Sequence, residues 1–445
     1  MRGKDEILNV LKKGLDFSKG DETELLYLGR ESSLTRYANS YIHQNVKENN
    51  SLIRVRVIKD KKIGFVETNN LTIEGLKKAV EDAEEILNFT KEDEAFVKLP
   101  EKEEAKEIKT FFEENLKVTP EDMAIKVKNV IQKASQKSLD AAGALSLDLE
   151  EYAVVNSRGI EVYQPYSSIT LTTVMMGDDS SGYADRFSMK FNDLNENELA
   201  DEAIEKALRG KNPKDFEPGK YEVILSPYVV EDILFFFSYL GFGAKNFHQD
   251  ISFMSGKLNE KVFSKDVTIW DDGLDPEGAP VVFDFEGVPK KKVTIIENGV
   301  AKAVVYDSYY ANKFGKENTG HALPQPNPVG PFPFNIFMKE GESSINDMIK
   351  NVKRGVFITR FHYTNPLDYK RVIITGMTRD GTFLIEDGKI SYPIKNLRFT
   401  QNMVELMNNV VEISKERKLQ KGEAHVSVVP YIRARDFNFT GKTEF

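Results

Sequence analysis

Two polar segments rich in Pro, Gly, Lys and Glu interrupt the apolar patterning of this sequence and limit what the chain can fold into. The first covers residues 90–120 and the second covers residues 210–219. Both have too few apolar positions to form part of a core, so we expect them to be surface connectors. A chain of 445 residues also exceeds the size that one hydrophobic core usually serves. We therefore expect three units, at 1–100, 112–210 and 219–445.

The patterns inside these units predict an α+β protein with several domains. Each of the first two units combines apolar residues at helical spacing with segments of alternating polarity, which indicates a small unit of helices and strands. The first unit is expected to have strands at 23–29, 33–46 and 51–60. Short strand patterns dominate after residue 219, with two apolar helices at 227–239 and 400–414. This C-terminal pattern is typical of antiparallel sheet packed with helices.

The composition favours a cytoplasmic protein. Cysteine is absent, which excludes disulfides, thiolate ligands and a cysteine nucleophile and fits a reducing compartment. The longest apolar run, residues 233–244, is too short to cross a bilayer. The net charge is −9 and the basic residues are spread among acidic ones, unlike the basic patches that bind phosphate backbones. We therefore expect no membrane span and no direct nucleic-acid binding.

The histidines of the chain do not form a recognisable metal-binding motif. They are His43, His248, His321, His362 and His425, and no two of them are three or four residues apart. Zinc hydrolysis requires several protein ligands and a base, often supplied by paired histidines on one helix face. A site assembled in space from these histidines and acids such as Asp250 stays open as an alternative. The Gly-x-Ser-x-Gly and phosphate-binding loop patterns are also absent from the sequence.

Several short phrases resemble the TldD/PmbA peptidase family, also called the modulator of DNA gyrase family. In chain order they include Val155-Asn-Ser-Arg-Gly159, Pro218-Gly-Lys-Tyr221, Asp284-Phe-Glu-Gly-Val-Pro289, Thr319-Gly-His-Ala322 and the closing segment from Val429-Pro430 to Gly441. Each phrase is weak by itself, but their order over nearly the whole chain is specific. The chain is identified as a member of this family, and its ending is similar to that of the PmbA (TldE) type.

The resemblance implies a subunit of a zinc metallopeptidase that degrades or processes unfolded peptides inside a cavity. In the zinc-bearing TldD-type subunit, His-Glu-x-x-x-His lies on the helix after the Pro-Gly-x-Tyr strand, and a Cys near the C-terminus is a further ligand. Here the corresponding helix contains Glu231 but no histidine, and residues 421–430 contain no cysteine. The resemblance therefore implies no catalytic residue, no metal site and no cofactor in this chain. Zinc is expected in a TldD-type paralogue that forms a heterodimer with it, a homodimer being the alternative.

Four polar residues are predicted to contact a peptide substrate: His321, Arg360, His362 and Tyr363. The last three lie in or beside a predicted strand at 356–363, and His321 lies beside the Pro-rich segment 324–333, a candidate cavity lining. An exposed sheet edge could hold an unfolded peptide as an added strand. Two alternatives stay open, namely a non-enzymatic binding or modulator protein and a peptidase with an unrecognised metal site built from the histidines.

Overall fold

The computed structural model describes residues 1–422 and 424–443. Its first sheet is formed by β1 Glu22–Ala38, β2 Tyr41–Lys59, β3 Lys62–Thr68, β4 Asp140–Asn156, β5 Glu161–Met176 and β6 Ser181–Ser188. The strand order is β3-β2-β1-β4-β5-β6, and every neighbouring pair is antiparallel. The sheet is therefore continuous across the connector at 90–120, which was expected to separate two units. The division of the chain at residues 100 and 210 stays a prediction.

Four helices cover one face of this sheet: α1 Lys4–Phe17, α2 Ile73–Ile86, α3 Pro120–Ser135 and α4 Glu196–Arg209. Strand β1 alternates between the two faces, as the two-residue period of a strand requires. Leu25 packs with α1 and α2, whereas Leu26 packs on the opposite face with Val154 and Phe283. Because Phe283 belongs to the C-terminal part of the chain, that part covers the second face of the sheet.

The start of the first sheet differs from the pattern-based expectation. Three separate strands at 23–29, 33–46 and 51–60 were expected, but the structure has the two long strands β1 and β2 joined at Asn39–Ser40. Both turn residues have positive φ, 50° and 57°, which suits a tight hairpin. The expectation was wrong because Asn-Ser was interpreted as part of a strand, although asparagine tolerates the left-handed conformation well.

The second sheet is formed by the C-terminal part of the chain. Its strands are β7 Gly219–Leu225, β8 Ile269–Asp271, β9 Val293–Glu297, β10 Val300–Ala301, β11 Asn335–Met338, β12 Arg354–Ile358, β13 Phe361–Asp368, β14 Ile373–Thr378, β15 Thr382–Glu386, β16 Lys389–Pro393, β17 Leu397–Asn402, β18 Val410–Lys421 and β19 Val426–Lys442. The main order is β10-β9-β8-β11-β19-β7-β12-β15-β16, and β17 and β18 also pair with β19. The pairs β11–β19 and β7–β12 are parallel. The expected α+β class, with a strand-rich C-terminal part, is confirmed.

Among the described residues, five α-helices accompany this sheet: α5 Pro227–Phe237, α6 Ala244–His248, α7 Ser308–Phe314, α8 Ile345–Lys350 and α9 Met403–Asn408. A π-helix, Ser238–Phe242, directly follows α5. The prediction of a helix at 400–414 is wrong, because only α9 is helical in this range and strand β18 follows it. Asn402 caps α9 by accepting a hydrogen bond from the Glu405 backbone N–H. The residues after α9 pair with β19 instead, so tertiary pairing outweighs helical spacing at this point.

Helix α5 is the most apolar helix of the fold and lies in the core of the C-terminal part. Val229, Val230, Ile233 and Phe237 are each at most 1% exposed. Proline at its first position suits a helix start, because that position needs no backbone N–H. In the part of the chain that the structure describes, no helix is long and apolar enough to span a membrane.

Candidate functional site

The two segments in which the resemblance places metal ligands lie in contact with each other. Helix α5 presents Glu231 and Phe235, one turn apart, toward His425 just before β19. The Glu231 Oε1 atom lies 3.5 Å from His425 Nε2. The rings of Phe235 and His425 stack at an interplanar angle of 4°, with their centroids 6.1 Å apart. This contact between α5 and the residues before β19 is the centre of the candidate site.

His425 is a buried, neutral imidazole at neutral pH. The residue is 3% exposed, and within residues 1–422 and 424–443 neither ring nitrogen has a hydrogen-bond partner. Burial lowers the pKa of His425 to about 4, although Asp271 acts in the opposite direction. The approach of Glu231 is therefore not an ion pair. A Cβ atom at Gly422 would overlap the Glu231 carboxylate, so a larger residue at this position would displace the Glu231 side chain.

A cavity of about 250 Å³ lies beside His425, between the first sheet and the C-terminal part. Its lining includes Tyr152, Tyr166, Phe283, Asp284, Phe285, Lys290, Phe334, Lys421, Gly422, Ala424 and His425. The Lys290 ammonium is the distinctive group, because the residue is 3% exposed and Nζ has no hydrogen-bond partner among the described residues. It lies 5.3 Å from the centroid of the Phe334 ring. A larger cavity of about 690 Å³ lies along β1 and β2 and shares none of these residues.

Asp271 organises the wall behind this cavity. Its carboxylate is fully buried and accepts hydrogen bonds from His321 Nε2 at 2.8 Å and from the backbone N–H groups of Phe334 and Asn335 at 2.9 Å. Burial alone would raise the pKa of Asp271, but His321 and Lys290 hold it below its ordinary value. Burial and Lys290 lower the pKa of His321, so the histidine is neutral. An ionised carboxylate thus holds the end of the Pro-rich segment against β8.

The four predicted substrate contacts lie in different environments. His321 is completely buried in the Asp271 network and its Nδ1 lies 2.9 Å from Thr319 Oγ1. Arg360 donates from Nη1 to Asp380 at 2.7 Å and lies over the ring of Tyr183. His362 is half-buried and Tyr363 is 77% exposed, both in β13. Their role in substrate contact stays a prediction.

The side chains present do not fit a zinc site. Within residues 1–422 and 424–443, no group of three or more His, Cys, Asp or Glu side chains could hold a metal ion. His248 bonds instead to the hydroxyl of Tyr306 at 2.9 Å, and Asp250 pairs with Lys370 at 2.6 Å. The histidines that the sequence left open as a dispersed metal site are thus used separately.

Sequence reasoning missed the residues that make the cavity distinctive. Lys290 follows the phrase Asp284–Pro289, which served only to support the resemblance, and Asp271 ends a three-residue strand. Tyr152 and Tyr166 come from the first sheet, far away along the chain. The sequence contained one indication of a buried charge. At Val288-Pro289-Lys290 a charged residue directly follows apolar ones, and this segment has neither helical nor strand periodicity.

The neutral His425 predicts a specific pH dependence of stability. The unfolded chain binds a proton at this position near the ordinary pKa of 6.5, whereas the native protein does so only near pH 4. The contribution of His425 is therefore complete above about pH 6.5 and declines by about 3 kcal/mol as the pH falls to about 4. We expect the stability difference between the native protein and His425→Gln to change by about this amount across that window.

Urea unfolding at a series of pH values checks this expectation. His43→Gln is the matched control, because His43 is exposed on β2 and the substitution is the same. A constant difference between the native protein and His425→Gln from about pH 6.5 to about pH 4 would contradict a buried neutral imidazole.

Comparison with known proteins supports the resemblance seen in the sequence. The chain matches PmbA/TldA metallopeptidase domain 1 over residues 23–87, the central domain over 103–211 and the C-terminal domain over 218–441. It is 29% identical over 379 residues to the uncharacterized protein MJ0231 of Methanocaldococcus jannaschii, covering 81% of this chain and 84% of that protein. It is 23% identical to a Buchnera aphidicola protein named metalloprotease TldD homolog, covering 87% and 86% of the two chains.

The fold also matches a solved structure. The crystal structure of TldE from Thermococcus kodakarensis superposes with a TM-score of 0.87 at 24% identity, covering 98% of this chain and all of that one. At this identity the likeness shows the fold alone, whereas the three domain matches together span most of the sequence. The chain therefore belongs to the PmbA/TldD metallopeptidase family.

Proposed function

We propose that this chain is the subunit of a TldD/TldE-type zinc metallopeptidase that shapes the substrate cavity and holds the peptide. In this proposal the zinc ion and the general base belong to a TldD-type paralogue. The observation that carries it is the contact between α5 and His425. At the position where a zinc-bearing subunit needs ligands, this chain places the ring of Phe235 against a neutral imidazole.

The spacing of the zinc motif supports this assignment. In His-Glu-x-x-x-His the glutamate directly follows the first histidine and precedes the second by four residues. The glutamate of α5 is Glu231, which assigns the two histidine positions to Val230 and Phe235. Neither of these side chains has a lone pair for a metal. Glu231 and His425 alone fall short of the three protein ligands that a catalytic zinc site uses.

Strand β13 supports the part of the proposal that concerns peptide binding. In the described part of the chain β13 pairs with β14, and no strand pairs with its other edge. Tyr363 and Leu367 on this strand are 77% and 61% exposed. Backbone pairing along such an edge would hold an unfolded peptide with little regard to its sequence. His362 and Tyr363, two of the predicted contacts, lie on this strand.

The proposal is tested by purifying the chain alone and together with a TldD-type paralogue from the same genome. We expect the lone chain to carry no stoichiometric zinc by elemental analysis and to leave casein intact. The two chains should elute as one complex in size-exclusion chromatography, and the complex should cleave casein until a chelator is added. Stoichiometric zinc with chelator-sensitive cleavage by the lone chain would refute the proposal.

Glu231→Gln sharpens this experiment. If the base belongs to the paralogue, the substitution in this chain leaves casein cleavage by the complex within about twofold, because Gln keeps the shape of the buried side chain. Replacing the motif glutamate of the paralogue by Gln is the matched variant, and loss of a general base there should reduce cleavage by at least about 100-fold. If Glu231→Gln abolished cleavage and the substitution in the paralogue did not, the catalytic site would lie in this chain.

A further inference from the structure

We propose that the cavity beside His425 binds the carboxylate end of a peptide, with Lys290 as the group that recognises the carboxylate. This inference rests on the proposed function, because it defines which part of a peptide the chain holds. The observation behind it is a lysine that lines a cavity, is 3% exposed and has no hydrogen-bond partner at Nζ. A buried ammonium has three N–H donors, and leaving them unused is costly.

The neighbouring acids do not use these donors. Asp271 accepts from His321 and from two backbone N–H groups, and Asp284 accepts from the backbone N–H groups of Glu286, Val288 and Ala322. The stem of Lys290 packs against Gly273, where a side chain would collide with it. The lysine is thus held in place beside two acids that accept hydrogen bonds from other groups and none from Lys290, and a ligand carboxylate can supply its acceptors.

The charges around the cavity favour an anionic group. Lys290 and Lys421 both line the cavity, the second at its exposed rim. The acid among the described lining residues is Asp284, and burial together with the nearby Glu286 raises its pKa to about 8. Asp284 is therefore mainly uncharged at neutral pH, and the charged groups that an incoming carboxylate meets among the described lining residues are the two lysines.

The aromatic walls and the small volume of the cavity determine which C-terminal residue of a peptide it can hold. Rings of Tyr152, Phe285 and Phe334 form successive edge-to-face pairs, with centroids 5.6 Å and 6.0 Å apart. Such walls suit an aromatic or large apolar side chain. The volume of about 250 Å³ is below the range of about 300–1,000 Å³ typical of pockets for drug-sized ligands. One terminal residue fits this space better than a run of several residues.

Calorimetric titration of the full chain tests the inference with N-acetylphenylalanine and its amide. The two probes have the same ring and differ in the terminal charge. We expect the acid to bind about tenfold or more tightly than the amide, as a charge-assisted hydrogen bond to Lys290 predicts. Lys290→Met should weaken binding of the acid to the level of the amide. Lys292→Met is the control, since Lys292 is an exposed lysine two residues away, and it should leave the affinity unchanged.

A second variant keeps the test valid if Lys290→Met does not fold. Ala424 is exposed at the rim, so Ala424→Trp fills the mouth of the cavity without entering the core, and it should abolish binding of the acid. Equal binding of acid and amide, or unchanged binding in both variants, would overturn the inference. Tight binding of N-acetylglutamic acid 1-amide, whose carboxylate is on the side chain, would assign the site to acidic side chains instead of peptide ends and would also overturn the inference. If the complex with the paralogue cleaves casein but the lone chain does not bind N-acetylphenylalanine, this inference is rejected and the proposed function is not.

Discussion

Replacing Arg56 by Met is expected to lower the free energy of unfolding by about 3–5 kcal/mol. The Arg56 guanidinium, on β2, donates to Glu24 at 2.8 Å and to Glu286 at 3.0 Å. All three side chains are at most 8% exposed. Glu286 lies in the C-terminal part, between β8 and β9, so this buried ion pair joins the first sheet to the C-terminal part. Removing the arginine leaves two carboxylates facing each other without a counter-charge, which costs much more than the loss of a surface pair.

The pH dependence of the same substitution provides an independent check. Burial raises the pKa of Glu24 to about 7 even though Arg56 opposes this shift. Without the arginine the Glu24 carboxylate must take up a proton to stay buried, and the unfolded chain binds that proton less readily. The free energy of unfolding that Arg56→Met loses relative to the native protein should therefore be largest above about pH 7 and become smaller at acidic pH.

Urea unfolding followed by circular dichroism measures both effects. Arg371→Met is the matched control, because Arg371 pairs with Asp368 at the surface and is 67% exposed. It should change the stability by less than about 0.5 kcal/mol. A loss below about 1 kcal/mol in Arg56→Met would show that the buried pair does not hold the first sheet and the C-terminal part together.

Asp271→Asn should cost about 3 kcal/mol of stability and loosen the wall of the cavity. An amide has one oxygen in place of two, so it cannot accept from His321 and from both the Phe334 and Asn335 N–H groups in the same geometry. It also removes the charge that balances Lys290. Hydrogen exchange at the Phe334 and Asn335 amides should rise with the loss of stability.

Asp272→Asn is the control for this prediction. The adjacent Asp272 accepts from the Leu274 N–H at 3.1 Å and pairs with Lys292 near the surface, so its substitution should cost less than about 1 kcal/mol. If the two substitutions have the same effect on stability and on exchange, the Asp271 carboxylate does not organise the wall.

A helix or strand was predicted correctly where its local sequence pattern agreed with the strand pairing and packing of the folded protein. Helix α5 was predicted at 227–239 and ends at Phe237, because proline marks its start and its apolar residues are continuous. The 400–414 segment also has helical spacing, yet pairing with β19 converts most of it to strand. The Asn39–Ser40 hairpin was missed because a turn of two residues leaves little trace inside a long alternating pattern.

The candidate site was predictable only in part, for a related physical reason. The resemblance identified the helix around Glu231 and the segment around His425, and the structure brings them together. The cavity residues carried no such signal, since Tyr152 and Lys290 meet only when the two sheets pack. His321 was selected for its polar side chain, but burial gives it a supporting position behind the wall. Burial of a polar residue depends on long-range contacts that a local pattern does not contain.

The position of β1 within its sheet has a consequence for synthesis on the ribosome. Its partners are β2, which follows directly, and β4, which begins at Asp140 after the connector and α3. While the chain emerges, one edge of the 17-residue strand β1 stays without a partner until β4 has been made. A long open edge favours pairing with other chains. Translation through β4 is therefore a stage at which the emerging chain benefits from protection by chaperones, and we expect premature termination before Asn156 to release an aggregation-prone fragment.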